Sequence, residues 1–205
     1  MIVSIVVSVY NEENVLSLFY TEIIKVLNEN TFDYELIFVN DGSIDNSKNI
    51  LNGFASENPK VKTLHLSTNF GHESAMIAGI DYATGNAIIC MDSDLQHPPT
   101  EIPKMIECFQ RQKMDIINMV NTNTNKKVGS EFFYYFLNKI SSHKITNNAS
   151  DFFLISDRIA QILRKDFRER VRFLRGFIQI IGFNKTTLTF NVQKRRSGKS
   201  INAFG

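Results

Sequence analysis

The sequence lacks the features that define several protein classes. It has no tryptophan and only two cysteines, Cys90 and Cys108, whose spacing matches neither a disulfide framework nor a zinc site. No apolar run approaches the about 18 residues that a membrane-spanning helix needs, and the N-terminus carries no basic segment typical of a signal peptide. We therefore expect two buried, reduced thiols in a chain that is neither secreted nor membrane-spanning.

Glycine-rich phosphate loops are also missing. The ten glycines never form a GxG, so neither GxGxxG nor GxxxxGK occurs. This disfavours dinucleotide-dependent dehydrogenases and P-loop NTPases. A phosphate bound beside acidic side chains would require a divalent cation, because carboxylates alone repel it.

Size and composition favour one ordinary globular domain. The chain has 205 residues, of which 43% are apolar and 21% charged, enough for a sizeable core. The net charge of +2 is unevenly placed, since residues 164–205 hold eleven Lys or Arg against two acids. This basic segment is either a solvated face or a site for an anionic partner, such as a lipid phosphate or a membrane surface.

Apolar runs alternate with amphipathic segments, which predicts an α/β fold with a mostly parallel sheet flanked by helices. Predicted strands are 2–9, 34–39, 61–66, 87–91 and 115–120, so we expect the sheet to end near residue 120. Beyond it we predict a loop at 121–127, helices around 132–140 and 159–163, and a strand at 152–155. Segment 172–178 mixes arginines with apolar residues, which fits either a membrane interface or a core helix.

Acidic side chains follow three of the predicted strands. Glu12 follows the first strand, Asp41 the second, and Asp92 and Asp94 the fourth. Ligands of open parallel sheets bind where strands end at their carboxyl side. Because Asp92 and Asp94 are two residues apart, their carboxylates can point the same way and share a hard divalent cation.

The motifs carry a resemblance to a known family. SVYNEE at 8–13, VNDGSID at 39–45, NFGH at 69–72 and MDSDLQ at 91–96 resemble the GT-A glycosyltransferases of family 2. ASDF at 149–152, RFLRG at 172–176 and RRSGKS at 195–200 resemble the branch of dolichol-phosphate mannose synthase and bactoprenol glucosyltransferases. The resemblance implies one GT-A domain over 1–205, with 1–120 binding nucleotide sugar and metal and 121–205 binding the acceptor.

The resemblance also implies roles for residues on the donor side. The implied nucleotide-sugar contacts are Tyr10, Glu12, Asp41, Asp92 and Ser93. The implied ligands of Mg²⁺ or Mn²⁺ are Asp92, Asp94 and Gln96. Structural alternatives remain: Tyr10 could cover a strand end, Asp41 could belong to an Asp-Gly turn, and Gln96 could cap a helix. For His72 and His97 we expect structural or indirect roles.

On the acceptor side, the resemblance implies a single displacement with inversion, in which Asp94 and Asp151 are catalytic. Asp151 occupies the position of a proposed base, although it could be only a turn acid. A polyprenyl phosphate is already ionised at pH 7, so Asp151 would position it, whereas a sugar hydroxyl would need a base. The candidate contacts to an acceptor phosphate are Arg172, Arg175, Arg195, Arg196 and Lys199.

Three function classes stay open: sugar transfer to a polyprenyl phosphate, transfer to a saccharide hydroxyl, and non-catalytic nucleotide-sugar binding. The basic segment favours the first, with a UDP-sugar donor and peripheral contact at the cytoplasmic face of a membrane. We expect no nucleic-acid partner and leave homo-oligomerisation open. Many members of the branch continue into transmembrane helices, so we expect this sequence to be a truncated portion.

Overall fold

A computed structural model of the chain describes residues 1–122, 149–166 and 174–191. In these ranges seven strands form one sheet with helices on both faces. The strands are β1 (Ile2–Val9), β2 (Asp33–Asn40), β3 (Val61–His65), β4 (Ala87–Asp92), β5 (Ile116–Asn121), β6 (Ala149–Ser156) and β7 (Lys185–Phe190). The helices are α1 (Leu16–Asn28), α2 (Ser47–Glu57), α3 (His72–Tyr82), α4 (Ile102–Gln112), α5 (Asp157–Asp166) and α6 (Leu174–Ile180).

The sheet has the order β3-β2-β1-β4-β6-β5-β7. Every neighbouring pair is parallel except those of β6, which runs antiparallel to β4 and β5. The expected mostly parallel sheet flanked by helices is therefore confirmed. The five strands predicted in the first 120 residues are all present.

Alternating side chains of β1 supply both apolar layers. Val3, Ile5 and Val7 pack in the layer that contains α1, α2 and α4, whereas Val6 packs in the layer that contains α3, α5 and α6. Burial of one large aliphatic side chain contributes about 1.5–3 kcal/mol, so both layers favour folding of the central strands. The sheet is thus a rigid base for the loops at its edges.

The expected end of the sheet near residue 120 was wrong. β6 inserts between β4 and β5, and β7 extends the sheet beyond β5. The apolar run of β6 fits a strand buried among neighbours. β7 was not predicted because only Leu188 and Phe190 are apolar in a strand that is half exposed.

Helix starts follow local chemistry. Pro99–Glu101 forms a 3-10 turn before α4, which fits the fixed backbone angle of proline at a helix start.

The predicted helix at 132–140 and most of the predicted loop at 121–127 lie outside the described residues. Among the described helices, none has the length and apolar character needed to cross a membrane.

Candidate active site

The strand ends bring Asp92 and Asp151 together. β4 ends at Asp92, and β6 begins at the same edge because it runs antiparallel. Cys90 pairs with Phe153 in that ladder, so continuing the register by two residues places Asp92 opposite Asp151. On the other side of β4, Ser8 of β1 pairs with Asp92.

His72, the first residue of α3, lies between these two carboxylates. Its Nδ1 is 2.9 Å from Ser8 Oγ and 3.3 Å from Asp92 Oδ1, and its Nε2 is 3.5 Å from Asp151 Oδ2. Ser8 Oγ also donates to Asp92 Oδ1 at 3.0 Å. The imidazole therefore contacts both acids, one through each ring nitrogen.

The Cys90 thiol lies beneath this cluster and is fully buried. Burial raises the pKa of Cys90 well above its usual value, and the charges of Asp151 and Asp92 raise it further. Cys90 is therefore a neutral thiol and not a nucleophile, since the thiolate is the reactive form. Cys108 is also buried, as predicted.

His97 holds the end of β4 in place. Its Nδ1 accepts the backbone N–H of Asp92 at 3.0 Å. Its ring stacks on Phe152 with centroids 5.2 Å apart and meets the edge of Phe190 at 5.9 Å. This arrangement agrees with the structural role expected for His97.

The turn after β4 is compact and strained. Asp94 Oδ1 accepts the backbone N–H of Gln96 at 3.0 Å, while Ser93 is buried. Between Asp94 and Gln96, Leu95 has φ 64°, a left-handed conformation that costs a leucine about 1–2 kcal/mol. Its side chain is buried in the core, which holds the turn in this conformation. Asp94 and Gln96 are half-buried beside Asp92.

Asp41 ties two loops of the same edge together. The carboxylate is buried, and its oxygens accept the backbone N–H groups of Phe70 at 2.8 Å and Gly71 at 3.0 Å. Gly42 follows with φ 66°, a left-handed conformation that glycine adopts readily, and the chain bends there. Whether Asp41 also contacts a nucleotide stays a prediction.

The loops after β1 and β2 are joined by reciprocal hydrogen bonds. The Asn11 N–H donates to Ser43 Oγ at 3.0 Å, and the Ile44 N–H donates to Asn11 Oδ1 at 2.9 Å. Glu12 is buried at this junction, and Tyr10 is half-buried at the end of β1. Both predicted donor contacts therefore lie where the loop after β1 is joined to the loop after β2.

Most of the predicted acceptor contacts cannot be placed. Arg172, Arg195, Arg196 and Lys199 lie outside the described residues. Arg175 belongs to α6, but its side chain also lies outside the described part of the chain. The structure thus brings together the predicted donor residues and Asp151, while the basic contacts stay predictions.

The cluster has the donor atoms for a divalent cation. His72, Asp92 and Asp151 each offer a ligand atom, and these atoms lie within 4.8 Å of one another. The Nε2 atom of His72 is buried and makes no hydrogen bond with another described group. Carboxylate and imidazole donors suit cations such as Mn²⁺, so the residues present fit a metal. Asp92 is common to this group and to the predicted Asp92, Asp94 and Gln96.

Sequence reasoning did not find the bridging position of His72. The available signal was its place in NFGH, directly after the loop of β3. In a parallel sheet the loops after the strands all start at the same edge, so the loop after β3 starts at the edge that carries Asp92. No histidine spacing suggested a contact with Asp92, because the contact joins the start of α3 to the end of β4.

The profile of Glycosyl transferase family 2 matches residues 4–171. The chain belongs to glycosyltransferase family 2. This is the family that the motifs resemble. The family match covers every described residue of the cluster.

Curated relatives support the narrower resemblance. The chain is 37% identical over 200 residues to the prophage bactoprenol glucosyl transferase homolog of Escherichia coli, covering 96% of this chain and 65% of the relative. It is 36% identical over 202 residues to the uncharacterized glycosyltransferase YkcC of Bacillus subtilis, with 96% and 62% covered. The bactoprenol glucosyl transferase of Shigella phage SfX is 35% identical over 204 residues, with 98% and 67% covered. The chain therefore spans about two thirds of the length of these relatives.

Solved structures confirm the expected GT-A fold. The mannosyltransferase PcManGT from Pyrobaculum calidifontis, in complex with GDP-Man and Mn²⁺, superposes with a TM-score of 0.67 at 15% identity, covering 95% of this chain and 58% of that one. Glucosyl-3-phosphoglycerate synthase from Mycobacterium tuberculosis, in complex with Mn²⁺, UDP and phosphoglyceric acid, gives 0.62 at 15% identity, with 96% and 71% covered. At these identities the likeness concerns the fold alone.

Proposed function

We propose that this family 2 glycosyltransferase moves a sugar from a nucleotide diphosphate sugar, with UDP favoured, to a polyprenyl phosphate. The observation that carries the proposal is the meeting of Asp92 and Asp151 at the edge where β4 ends and β6 begins. Such an edge can hold a donor and an acceptor side by side. Relatives named bactoprenol glucosyl transferase support a lipid-phosphate acceptor.

The donor diphosphate would lie over the turn after β4. Asp92, Asp94 and Gln96 would hold Mg²⁺ or Mn²⁺ there, with His72 beside Asp92. When bound, the cation would neutralise charge that develops on the departing nucleoside diphosphate. Tyr10, Glu12, Asp41 and Ser93 would line the remainder of the donor site. The joined loops after β1 and β2 would keep that site fixed before the donor binds.

The acceptor would approach from the side of Asp151. An oxygen of the acceptor phosphate forms a bond to the anomeric carbon, and the bond from that carbon to the diphosphate oxygen breaks. The electron pair leaves with the nucleoside diphosphate, and attack from the opposite side inverts the configuration. Because a phosphomonoester has a second pKa near about 6, no proton has to be removed. Asp151 would then position or shield the acceptor phosphate through the groups around it, because the two anions repel each other.

Cationic side chains would offset the repulsion between the anionic donor and acceptor. Arg172, Arg175, Arg195, Arg196 and Lys199 are the candidates, since guanidinium groups bind phosphate oxygens in pairs. The basic segment would also attract the anionic cytoplasmic face of a membrane, where a polyprenyl phosphate resides. This peripheral contact is part of the proposal.

Transfer to a saccharide hydroxyl is the second candidate. The position of Asp151 favours it, because a carboxylate beside the donor edge could act as a base for a hydroxyl. Both reactions would use the same donor site. They differ in what Asp151 must do.

A transfer assay distinguishes the candidates. The chain would be incubated with radiolabelled UDP- and GDP-sugars, Mg²⁺ or Mn²⁺, and either polyprenyl phosphate or oligosaccharides. We expect label in the lipid phosphate, lost on addition of EDTA and in Asp92→Asn. Label only in a phosphate-free saccharide would overturn the lipid acceptor, and nucleotide-sugar binding without transfer would indicate a non-catalytic module.

A further inference from the structure

His72 lies close to both acids of the site. Its Nδ1 lies 2.9 Å from Ser8 Oγ and 3.3 Å from Asp92 Oδ1, and its Nε2 lies 3.5 Å from Asp151 Oδ2 without a hydrogen bond. An imidazole is a flat, rigid spacer with one nitrogen on each side. The ring therefore lies between a carboxylate on β4 and one on β6.

The backbone around His72 is itself fixed from β2. Asp41 accepts the N–H groups of Phe70 and Gly71, the two residues before the ring. A Cβ at Gly42 would lie 2.3 Å from the carbonyl carbon of Thr68, so the two loops are in direct backbone contact. Gly71 has φ 92°, which turns the chain into α3. His72 thus has little freedom to move along the edge.

We propose that His72 is a positioning residue that sets Asp92 through its Nδ1 side and Asp151 through its Nε2 side. The inference rests on the proposed function, in which Asp92 serves the donor and Asp151 the acceptor. The ring acts through the carboxylates and touches neither substrate. Loss of the contact on one side of the ring should therefore impair either donor binding or transfer to the acceptor, but not both. A purely structural residue would not give this result.

Two substitutions separate the two sides. The His72→Asn amide reaches about as far as Nδ1, so it keeps the contact with Ser8 and Asp92 and loses Asp151. The His72→Gln amide reaches about as far as Nε2, so it keeps Asp151 and loses the other contact. Binding of Mn²⁺ with UDP, measured by calorimetry, reports on the donor half of the site. The kcat for transfer to the acceptor that the wild type uses, or to water, reports on the acceptor half.

For His72→Asn we expect Mn²⁺–UDP affinity within about 3-fold of wild type and a kcat lowered about 10-fold, as for loss of a contact that keeps Asp151 in place. For His72→Gln we expect the opposite: affinity lowered about 10-fold or more and kcat better preserved. Ser74→Ala, which removes a hydroxyl bond to Phe70 O in the same helix turn, is the matched control and should change neither. Thermal unfolding of each variant reports its folding.

Equal losses of affinity and kcat in both variants, or no loss in either, would overturn the positioning role. Electron spin-echo spectroscopy of Mn²⁺–UDP bound to the wild type gives a further outcome. A nitrogen coupling that disappears in His72→Asn and His72→Gln would make the ring a metal ligand and overturn the proposal. Failure of transfer to polyprenyl phosphate would contradict only the proposed function, because Mn²⁺–UDP binding and donor hydrolysis need no lipid.

Discussion

At the scale of single residues, the role of Asp151 depends on the acceptor. The antiparallel register of β4 and β6 places it opposite Asp92, near the donor edge. An ionised carboxylate repels a charged phosphate, so Asp151 would orient that acceptor only through neighbouring groups, a role that an asparagine of the same shape would largely preserve. Removal of a hydroxyl proton needs the basicity of the Asp151 carboxylate, which an asparagine lacks.

Asp151→Asn should therefore separate the two acceptor classes. We expect kcat with polyprenyl phosphate to fall less than about 10-fold, and kcat with a saccharide hydroxyl to fall about 10²–10⁴-fold, the usual contribution of a general base. Initial rates with both acceptors are the measurement. Asp33→Asn, at an exposed site where β2 begins, is the control. A saccharide transfer that survives Asp151→Asn would argue against a base at this position.

At the scale of elements, the loop after β2 positions the start of α3. Gly42 has φ 66°, and a Cβ there would lie within 2.3 to 2.7 Å of backbone atoms of Thr68 and Asn69. Neither backbone can yield without moving the segment that carries His72. Gly53 on α2 is different, because a Cβ there meets nothing within 4 Å.

Gly42→Ala and Gly53→Ala form a matched pair. We expect Gly42→Ala to destabilise the fold by at least about 2 kcal/mol, from the left-handed backbone and overpacking, and to lower transfer activity. We expect Gly53→Ala to stabilise it by up to about 1 kcal/mol, because alanine favours a helix interior. Urea unfolding at neutral pH is the measurement. Similar stabilities for the two variants would mean that the contact between the loops is not tight.

A second element-scale network lies at the opposite edge of the sheet. Glu35 of β2 accepts hydrogen bonds from Ser4 at 2.5 Å, Lys62 at 2.6 Å and the Thr84 N–H at 2.6 Å. Burial raises the pKa of the Glu35 carboxyl, but these donors outweigh burial and lower it to about 2. The network thereby fixes the turn between α3 and β4.

Because this pKa is lower in the folded chain than its ordinary value of 4.5, the ionised carboxyl stabilises the fold above that value. The contribution is lost as pH falls from about 4.5 towards 2. We expect Glu35→Gln to cost about 2 kcal/mol at pH 7 and progressively less below pH 4, by urea unfolding across pH. Glu57→Gln, at the exposed end of α2, is the control. A constant difference across pH would show that the charge of Glu35 is not the cause.

At the scale of the whole molecule, positive and negative charges are segregated along the sequence. Eleven of the Lys and Arg residues fall in residues 164–205, while the acidic site lies on strand ends of the first 151 residues. This separation suits two anionic substrates, one held through a cation and one by basic side chains. The proposed acceptor contacts belong to the basic part.

Arg175→Ala tests that division of roles. We expect turnover with polyprenyl phosphate to fall more than affinity for the nucleotide sugar, since a guanidinium on α6 would serve the acceptor. Steady-state kinetics with varied lipid and calorimetry with UDP are the measurements. Arg111→Ala, an exposed residue of α4 paired with Glu107, is the control. Equal loss of both properties, or loss of neither, would contradict the assignment.

Much of the fold was predictable because the chain repeats short-range patterns. Apolar runs marked β1 to β5, and the run at 152–155 marked the centre of β6. β7 was not predicted because its threonines do not form an apolar run and the strand lies at an exposed edge of the sheet. The insertion of β6 between β4 and β5 escaped because strand order depends on packing between distant segments.

The alternating elements, the family motifs and the acids at strand ends can be recognised in the sequence, because each depends on neighbouring residues. Which acids meet depends on the tertiary structure. The antiparallel entry of β6 brings Asp151 to Asp92, and the tether from Asp41 places His72 between them. Those contacts join residues tens of positions apart, and the geometry of the sheet and its loops sets such distances.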